Sequence, residues 1–309
     1  MTKFRNSWFL FKSSMRVIFE NKKLLVFPIV TFLGTCVIIL FFLVPISLWP
    51  TGFHLNQPEH WKAVSQLFVT MKTTAGTAGG YHSESAVNPL GFALGAILYF
   101  ISMFLTTFFN VAFFHEILFG LKGHPVSLGR GFSFAVSKLS SILLWSLFAG
   151  AIGFIIKMLE QRVDLIGRII LRFIGIAWSV ASVFAIPVLI TEPGRNPLAI
   201  LRKSAETLKQ TWGESLIGYV GVQFGGLLIM LLSFVCLGGA IALSVALNTF
   251  WIFAIALVFW LLGLMVFGYL SGVASQVYRC ALYIYATEGQ IPAPYNQEML
   301  ALAWKVKKS

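Results

Sequence analysis

A chain of 309 residues with 58% hydrophobic content, 11% charged residues and a mean hydropathy of +0.83 is too apolar for a water-soluble globule. Its net charge of +12 comes from basic residues that flank long uncharged runs, which suits headgroups and topology and speaks against a nucleic-acid partner. Cys36, Cys236 and Cys280 show no metal-ligand spacing, so neither a disulfide framework nor a metal or cofactor is expected.

Several apolar runs exceed the roughly 20 residues that a spanning helix requires. The hydrocarbon core offers backbone groups no water, so such runs must be helical, and the ~10-residue alternation of a membrane β-barrel is missing. The expected fold is all-α: one domain over 1–309, a polytopic transmembrane helical bundle of six spans with interfacial amphipathic helices.

In chain order, residues 2–23 predict an interfacial helix. Phe4, Trp8, Phe11, Met15 and Ile18 form one helical stripe, and Lys3, Lys12, Arg16, Lys22 and Lys23 lie off it. A cytoplasmic helix packed on the bundle is the alternative. Span one is expected at 24–49, retained because it is too long for a signal sequence. In the connection to Pro89, Pro58 opens a short helix with Trp61, Val64, Phe68 and Met71 along one face, and TTAGTAGGYHSES has loop composition. His54, His60 and His82 fall here and are expected to be solvated, since their spacing matches no metal pattern.

Span two, 90–118, carries the small-residue packing motif Gly91-x-x-x-Gly95. Asn110, His115 and Glu116 approach its end, and Glu116 is expected to be a solvated acid at the mouth of the span. His115-Glu116 does not continue into a zinc motif, because Phe119 occupies the position of the second histidine. A second amphipathic segment (Leu128, Phe132, Ala135, Leu139) precedes span three, 139–156. The chain must then turn before span four, 173–190, with Gly167 the expected hinge and Asp164–Arg168 an i,i+4 pair.

Next comes NPLAILRKSAETLKQTWGE, with Asn196 as N-cap and Pro197 at the first helical position. Its stripe is Leu198, Leu201, Ala205, Leu208 and Trp212, and Arg202, Lys203, Glu206 and Lys209 form the polar side. Span five, 215–247, contains Gln223 and the Gly221-x-x-x-Gly225 pair. Asn248 turns the chain into span six, 250–278, with Gly268-x-x-x-Gly272. The remainder, 279–309, reads as a polar tail with a short helix after Asn296.

With the N-terminus inside, only Lys62, Lys72, Lys157, Arg162, Arg168 and Arg172 of the 23 lysines and arginines fall outside. That bias predicts six spans with both termini in the cytoplasm. An amphipathic segment then precedes each odd-numbered span, so the chain reads as interfacial helix plus hairpin, three times over; a repeat and a mere requirement of membrane re-entry both fit.

The runs FRNSWFLFKSSMRVIFENKKLLVFP, FFNVAFFHEIL, NPLAILRKSAETLKQTWGE and ALYIYATEGQIP, in that order, resemble a family of bacterial integral membrane proteins known under a domain-of-unknown-function label. The resemblance implies six spans in the inner membrane of a bacterial cell and carries no activity or functional residues.

Two function classes fit the residues. An oligomeric channel or pore for ions or small solutes would use Asn110, His115, Glu116, Gln223 and Asn248 as its polar pathway, with the paired glycines packing its helices. A non-catalytic scaffold or lipid-organising protein would use Lys12, Arg16, Lys22, Lys23, Arg202 and Lys203 to hold anionic headgroups. A transporter would place acids at the bilayer centre, and all 11 lie in connections or near span ends. An enzyme is not expected: no paired carboxylates, nucleophile triad, phosphate loop or zinc motif is present.

Overall fold

The computed structural model describes residues 2–75, 81–211 and 215–295, with side chains at 10–68, 88–209 and 230–295. Helix α1 (Thr2–Glu20) leads through a 3-10 turn (Lys22–Leu25) into α2 (Val26–Ser47). After α3 (Pro58–Gln66), strands β1 (Val69–Ala75) and β2 (Tyr81–Val87) pair antiparallel, with Val69 opposite Val87 and Lys72 opposite Glu84. Then follow α4 (Pro89–Leu121), α5 (Leu128–Ser137), α6 (Leu139–Glu160), α7 (Leu165–Ala181), α8 (Ala185–Thr191), α9 (Pro197–Thr211), α10 (Ser215–Ala246) and α11 (Phe250–Glu288).

Five segments are long and apolar enough to cross a membrane: Lys22–Ser47, Pro89–Leu121, Leu139–Glu160, Leu165–Thr191 and Phe250–Glu288. Of α10, the side chains described cover a shorter apolar stretch, Met230–Ala246. A short amphipathic helix stands before α2, α6 and α10, as the chain-order reading expected. Helices α5 and α9 pack on the elements just before them, α4 and α8, and α1 packs on the last helix, α11.

Helices α4 and α11 are the two longest and outrun the bilayer. At 1.5 Å per residue, α4 with 33 residues is about 50 Å long and α11 with 39 about 58 Å, against a core of ~30 Å. Their overhangs lie at one end of the molecule, where α1, α5, α8 and α9 also gather. Lys12, Arg16, Lys22, Lys23, Arg202 and Lys203 are all exposed there, and it is termed the basic end below. The buried core sits at this end: Leu10, Val17 and Ile18 of α1; Val111, Phe113, Phe114 and Ile117 of α4; Val188 and Leu189 of α8; Val273, Val277 and Ala281 of α11. Towards the opposite end large apolar side chains turn outward, among them Phe32, Val37 and Phe41 of α2 and Trp251, Phe259 and Met265 of α11. That pattern is what lipid-facing helices require.

Several sequence expectations are corrected. The turn after α6 falls at Gln161–Asp164, ahead of Gly167, because Asp164 caps α7 by accepting a hydrogen bond from the Gly167 amide at 3.0 Å. The absence of a side chain at Gly167 matters here, since a Cβ would stand 2.6 Å from that of Val163 and 3.1 Å from the capping oxygen. Asp164 is thus a cap rather than the ion-pair partner of Arg168, which donates to the Val163 carbonyl. Of the segment of loop composition before Asn88, residues 73–75 and 81–85 lie in the paired strands β1 and β2. Helix α11 continues ten residues beyond 278 and ends where Gly289 adopts φ 65°, a left-handed cap. Asn196 and Pro197 do open α9, and the Asn196 side chain accepts from the Leu198 amide at 3.0 Å.

The α1 and α9 stripes are rotated from those expected. In α1 the buried positions are Leu10, Ser13, Ser14, Val17 and Ile18, of which the expected stripe held Ile18, with Phe11 and Met15 at the flank. In α9 they are Ile200, Ser204 and Thr207, while Leu198 is 62% exposed. The predicted positions Phe4, Trp8 and Trp212, and the short helix after Asn296, lie outside the side chains or residues described. His60 is buried rather than solvated, with Nε2 donating to the Ser47 carbonyl at 2.8 Å and Nδ1 paired with the Thr51 hydroxyl at 2.6 Å. It ties α3 to the end of α2.

Candidate functional site

The most concentrated polar chemistry among the described side chains is at the junction of α4 and α5. Glu116 lies one turn before the end of α4 and is 0% exposed. A carboxylate in that position is costly unless every lone pair is met. Here Arg130 of α5 donates twice, Nε to Oε1 at 2.8 Å and Nη2 to Oε2 at 2.6 Å. The Ser127 amide, at the N-cap of α5, donates to Oε2 at 2.7 Å, and His115 Nδ1 donates to Oε1 at 3.1 Å. The Arg130 Nη2 also reaches the Pro125 carbonyl at 2.8 Å, fixing the turn between the helices.

Aromatic rings complete the centre. The guanidinium lies 4.0 Å above the Phe119 ring, a cation–π contact. His115 stacks on Phe134 at 4.0 Å, and His124 leans on Phe119 at 4.6 Å. The approach of α5 depends on Gly131, whose Cβ would stand 2.9 Å from both the Ala112 carbonyl and the Glu116 Cγ. Glu116 is therefore a clasp between two helices rather than the solvated acid expected at the span's mouth.

Further cross-links surround this clasp at the basic end. Lys122 pairs with Glu288 at 2.6 Å, joining the ends of α4 and α11. Lys138 donates to the Glu192 carbonyl at 3.2 Å, and Thr191 and Tyr283 share a hydrogen bond of 2.7 Å. Ser14 bonds to the Tyr295 hydroxyl at 2.8 Å, and burial pushes the Tyr295 hydroxyl pKa up, keeping it a neutral donor. The Tyr269 hydroxyl donates to the Leu25 carbonyl. No group of three or more metal-ligating side chains occurs among the described residues.

Of the polar pathway candidates described, His115 and Glu116 meet and the others stand apart. His115 and Glu116 are in the clasp. Asn110 is half-buried on α4, nearly two turns away, and Asn248 is exposed at the α10–α11 turn. Asn248 holds φ 49°, so it serves as the left-handed residue of that turn. Gln223 lies outside the side chains described, as do Gly221 and Gly225. Of the other glycines, Gly91 admits the backbone of Phe68, with Cβ to Cα at 2.6 Å, and so packs a loop rather than a helix. Gly95, Gly268 and Gly272 have no described atom within 4 Å of a Cβ position. The close approaches between spans occur elsewhere, at Gly34 against Phe109 and at Gly150 against Phe100.

The headgroup candidates are exposed as expected. Arg16 pairs with Glu20 at 3.0 Å and Arg202 with Glu206 at 2.9 Å, in both cases on the outer face of the helix. Such exposed i,i+4 pairs are weak, so both arginines stay available to other anions. The residues missed by sequence reasoning are Arg130, Ser127 and the buried hydroxyls of Ser14 and Ser204. The sequence marked the first only as a cation in the segment after a span-end glutamate, with no spacing rule joining the two.

No curated protein and no solved structure matches this chain. The model of a family of unknown function (DUF6159) matches residues 90–293, about two thirds of the chain and the whole stretch from the start of α4 past the end of α11. FRNSWFLFKSSMRVIFENKKLLVFP lies outside the matched residues, whereas the clasp, α9 and α11 lie inside them. The chain, whose apolar helices suggest a membrane protein, belongs to the DUF6159 family of unknown function.

Proposed function

We propose that the protein is a non-catalytic membrane scaffold that gathers anionic lipid at the inner leaflet of the bacterial cytoplasmic membrane. In this reading it has six spans and both termini in the cytoplasm. One observation carries it: α1 and α9 are each seated on the packed basic end by one face and present a cationic face that ends in an exposed apolar side chain. On α1 that face is Lys12, Arg16 and Phe19, the last 58% exposed, followed by Lys22 and Lys23. On α9 it is Leu198, Arg202 and Lys203. A helix that offers lysine and arginine to headgroups and a bulky apolar group to the acyl boundary is suited to the interfacial plane, and each basic residue near an anionic surface adds about 1 kcal/mol.

The pore reading draws less support. The candidates for a polar pathway that are described lie apart, and the basic end is filled by apolar side chains. The test is lipid retention. Native mass spectrometry and phosphate assay of protein purified from anionic nanodiscs should show bound anionic lipid. Replacing Lys12, Arg16, Lys22, Lys23, Arg202 and Lys203 by Gln together should remove most of it. Equal retention by the variant would refute the reading, and solute flux through reconstituted wild-type protein would restore the pore.

A further inference from the structure

Span four is broken near its inner end, and the break is closed by a side chain from another helix. Helix α7 stops at Ala181 and α8 begins at Ala185. The cause is local: Pro187 has no N–H to offer the Val183 carbonyl, and its ring crowds that carbonyl. The groups freed there would be costly in an apolar interior. The Ala185 amide, which a continuous helix would aim at the Ala181 carbonyl, turns to the Ser182 carbonyl at 3.0 Å, and Ser204 of α9 meets two of the groups at the break, with its hydroxyl donating to the Ala181 carbonyl at 2.6 Å and accepting from the Phe184 amide at 3.1 Å. Ser204 is itself 0% exposed.

The two sides of the break are held unequally. Ala185, Pro187, Val188, Leu189 and Ile190 of α8 are all buried in the core. On α7, Leu171 is the buried residue, and Ile166, Ile170 and Phe173 point outward. Helix α9 packs on both α7 and α8. Arg202, two positions before Ser204, lies about 200° around the helix from it, so a pull on Arg202 is directed away from the break.

We propose that Ser204 is a latch across a hinge in span four, and that attraction of the cationic face of α9 to anionic headgroups releases it, freeing α7 to change tilt against the fixed α8. The trigger rests on the lipid-gathering function proposed above; the latch itself rests on hydrogen-bond geometry. One hydroxyl serving two backbone groups is comparable in strength to the attraction of two surface cations to an anionic leaflet, so the two can compete.

The test is hydrogen–deuterium exchange of the full chain in nanodiscs, read in peptides spanning 181–186. In the wild type, exchange should be about tenfold faster with anionic than with zwitterionic lipid, the ratio expected from losing roughly one hydrogen bond. Ser204→Ala should exchange at the fast rate in both lipids. Arg202→Gln with Lys203→Gln, which leaves the break untouched, should exchange at the slow rate in both. Slow exchange in Ser204→Ala would overturn the latch. A wild type insensitive to lipid would overturn the trigger, and bound-lipid counts on the same samples show whether lipid gathering has failed with it. Should Ser204→Ala not fold, the Arg202→Gln/Lys203→Gln comparison still decides.

Discussion

Glu116 is the residue on which the sequence is most misleading. Near the end of an apolar run, beside a histidine, an acid reads either as a solvated group or as part of a polar pathway. Which of these holds depends on a partner fourteen positions on, and separation along the chain says nothing about a fork geometry of 2.6 and 2.8 Å. Breaking a buried pair by removing one partner costs about 3–5 kcal/mol, because the other charge stays behind. Arg130→Ala should therefore destabilise the protein by about that amount in thermal or denaturant unfolding. Glu116→Gln with Arg130→Met should lie closer to wild type than Arg130→Ala alone, since neither charge is then stranded. A double variant less stable than either single one would show that the pair is not a clasp.

Among elements, end signals were legible and faces were not. Asn196-Pro197 announces α9, and the small amphipathic helices stand where hydrophobic periodicity puts them. The buried faces of α1 and α9 escaped because they are built on Ser14, Ser204 and Thr207, hydroxyls that a hydrophobic pattern scores as polar. Glycine spacing marked Gly95, Gly268 and Gly272, which have no described atom within 4 Å of a Cβ position, whereas the close approach of α5 to α4 occurs at Gly131, outside any such pair. Gly131→Ala forces its Cβ against the Ala112 carbonyl and should cost about 1–3 kcal/mol in unfolding experiments. Gly129→Ala, on the open side of the same helix, should be neutral or stabilising by up to about 1 kcal/mol. Equal effects of the two substitutions would contradict the packing of α5 on α4.

At the scale of the whole molecule, stability is concentrated at one end. The overhangs of α4 and α11 are sheathed by α1, α5, α8 and α9 and tied by Lys122–Glu288, Lys138–Glu192 and Thr191–Tyr283. The opposite halves of the spans show lipid their large side chains. The apolar composition pointed to a bilayer, and five segments long and apolar enough to cross one agree with it; the orientation that the charge bias predicts awaits the labelling experiment. The uneven packing was not legible, because it arises from helices longer than the membrane and from side-chain hydrogen bonds between elements far apart in sequence.

The account depends most on six crossings with the basic end in the cytoplasm. Single cysteines introduced in a cysteine-free background and labelled with a membrane-impermeant maleimide on intact cells test it directly. Positions 53, 161 and 248, in the turns at the far end, should label from outside, and positions 124 and 195, in the turns at the basic end, should label only after the membrane is opened. Labelling of 124 or 195 from outside, or protection of 248 alongside them, would contradict it.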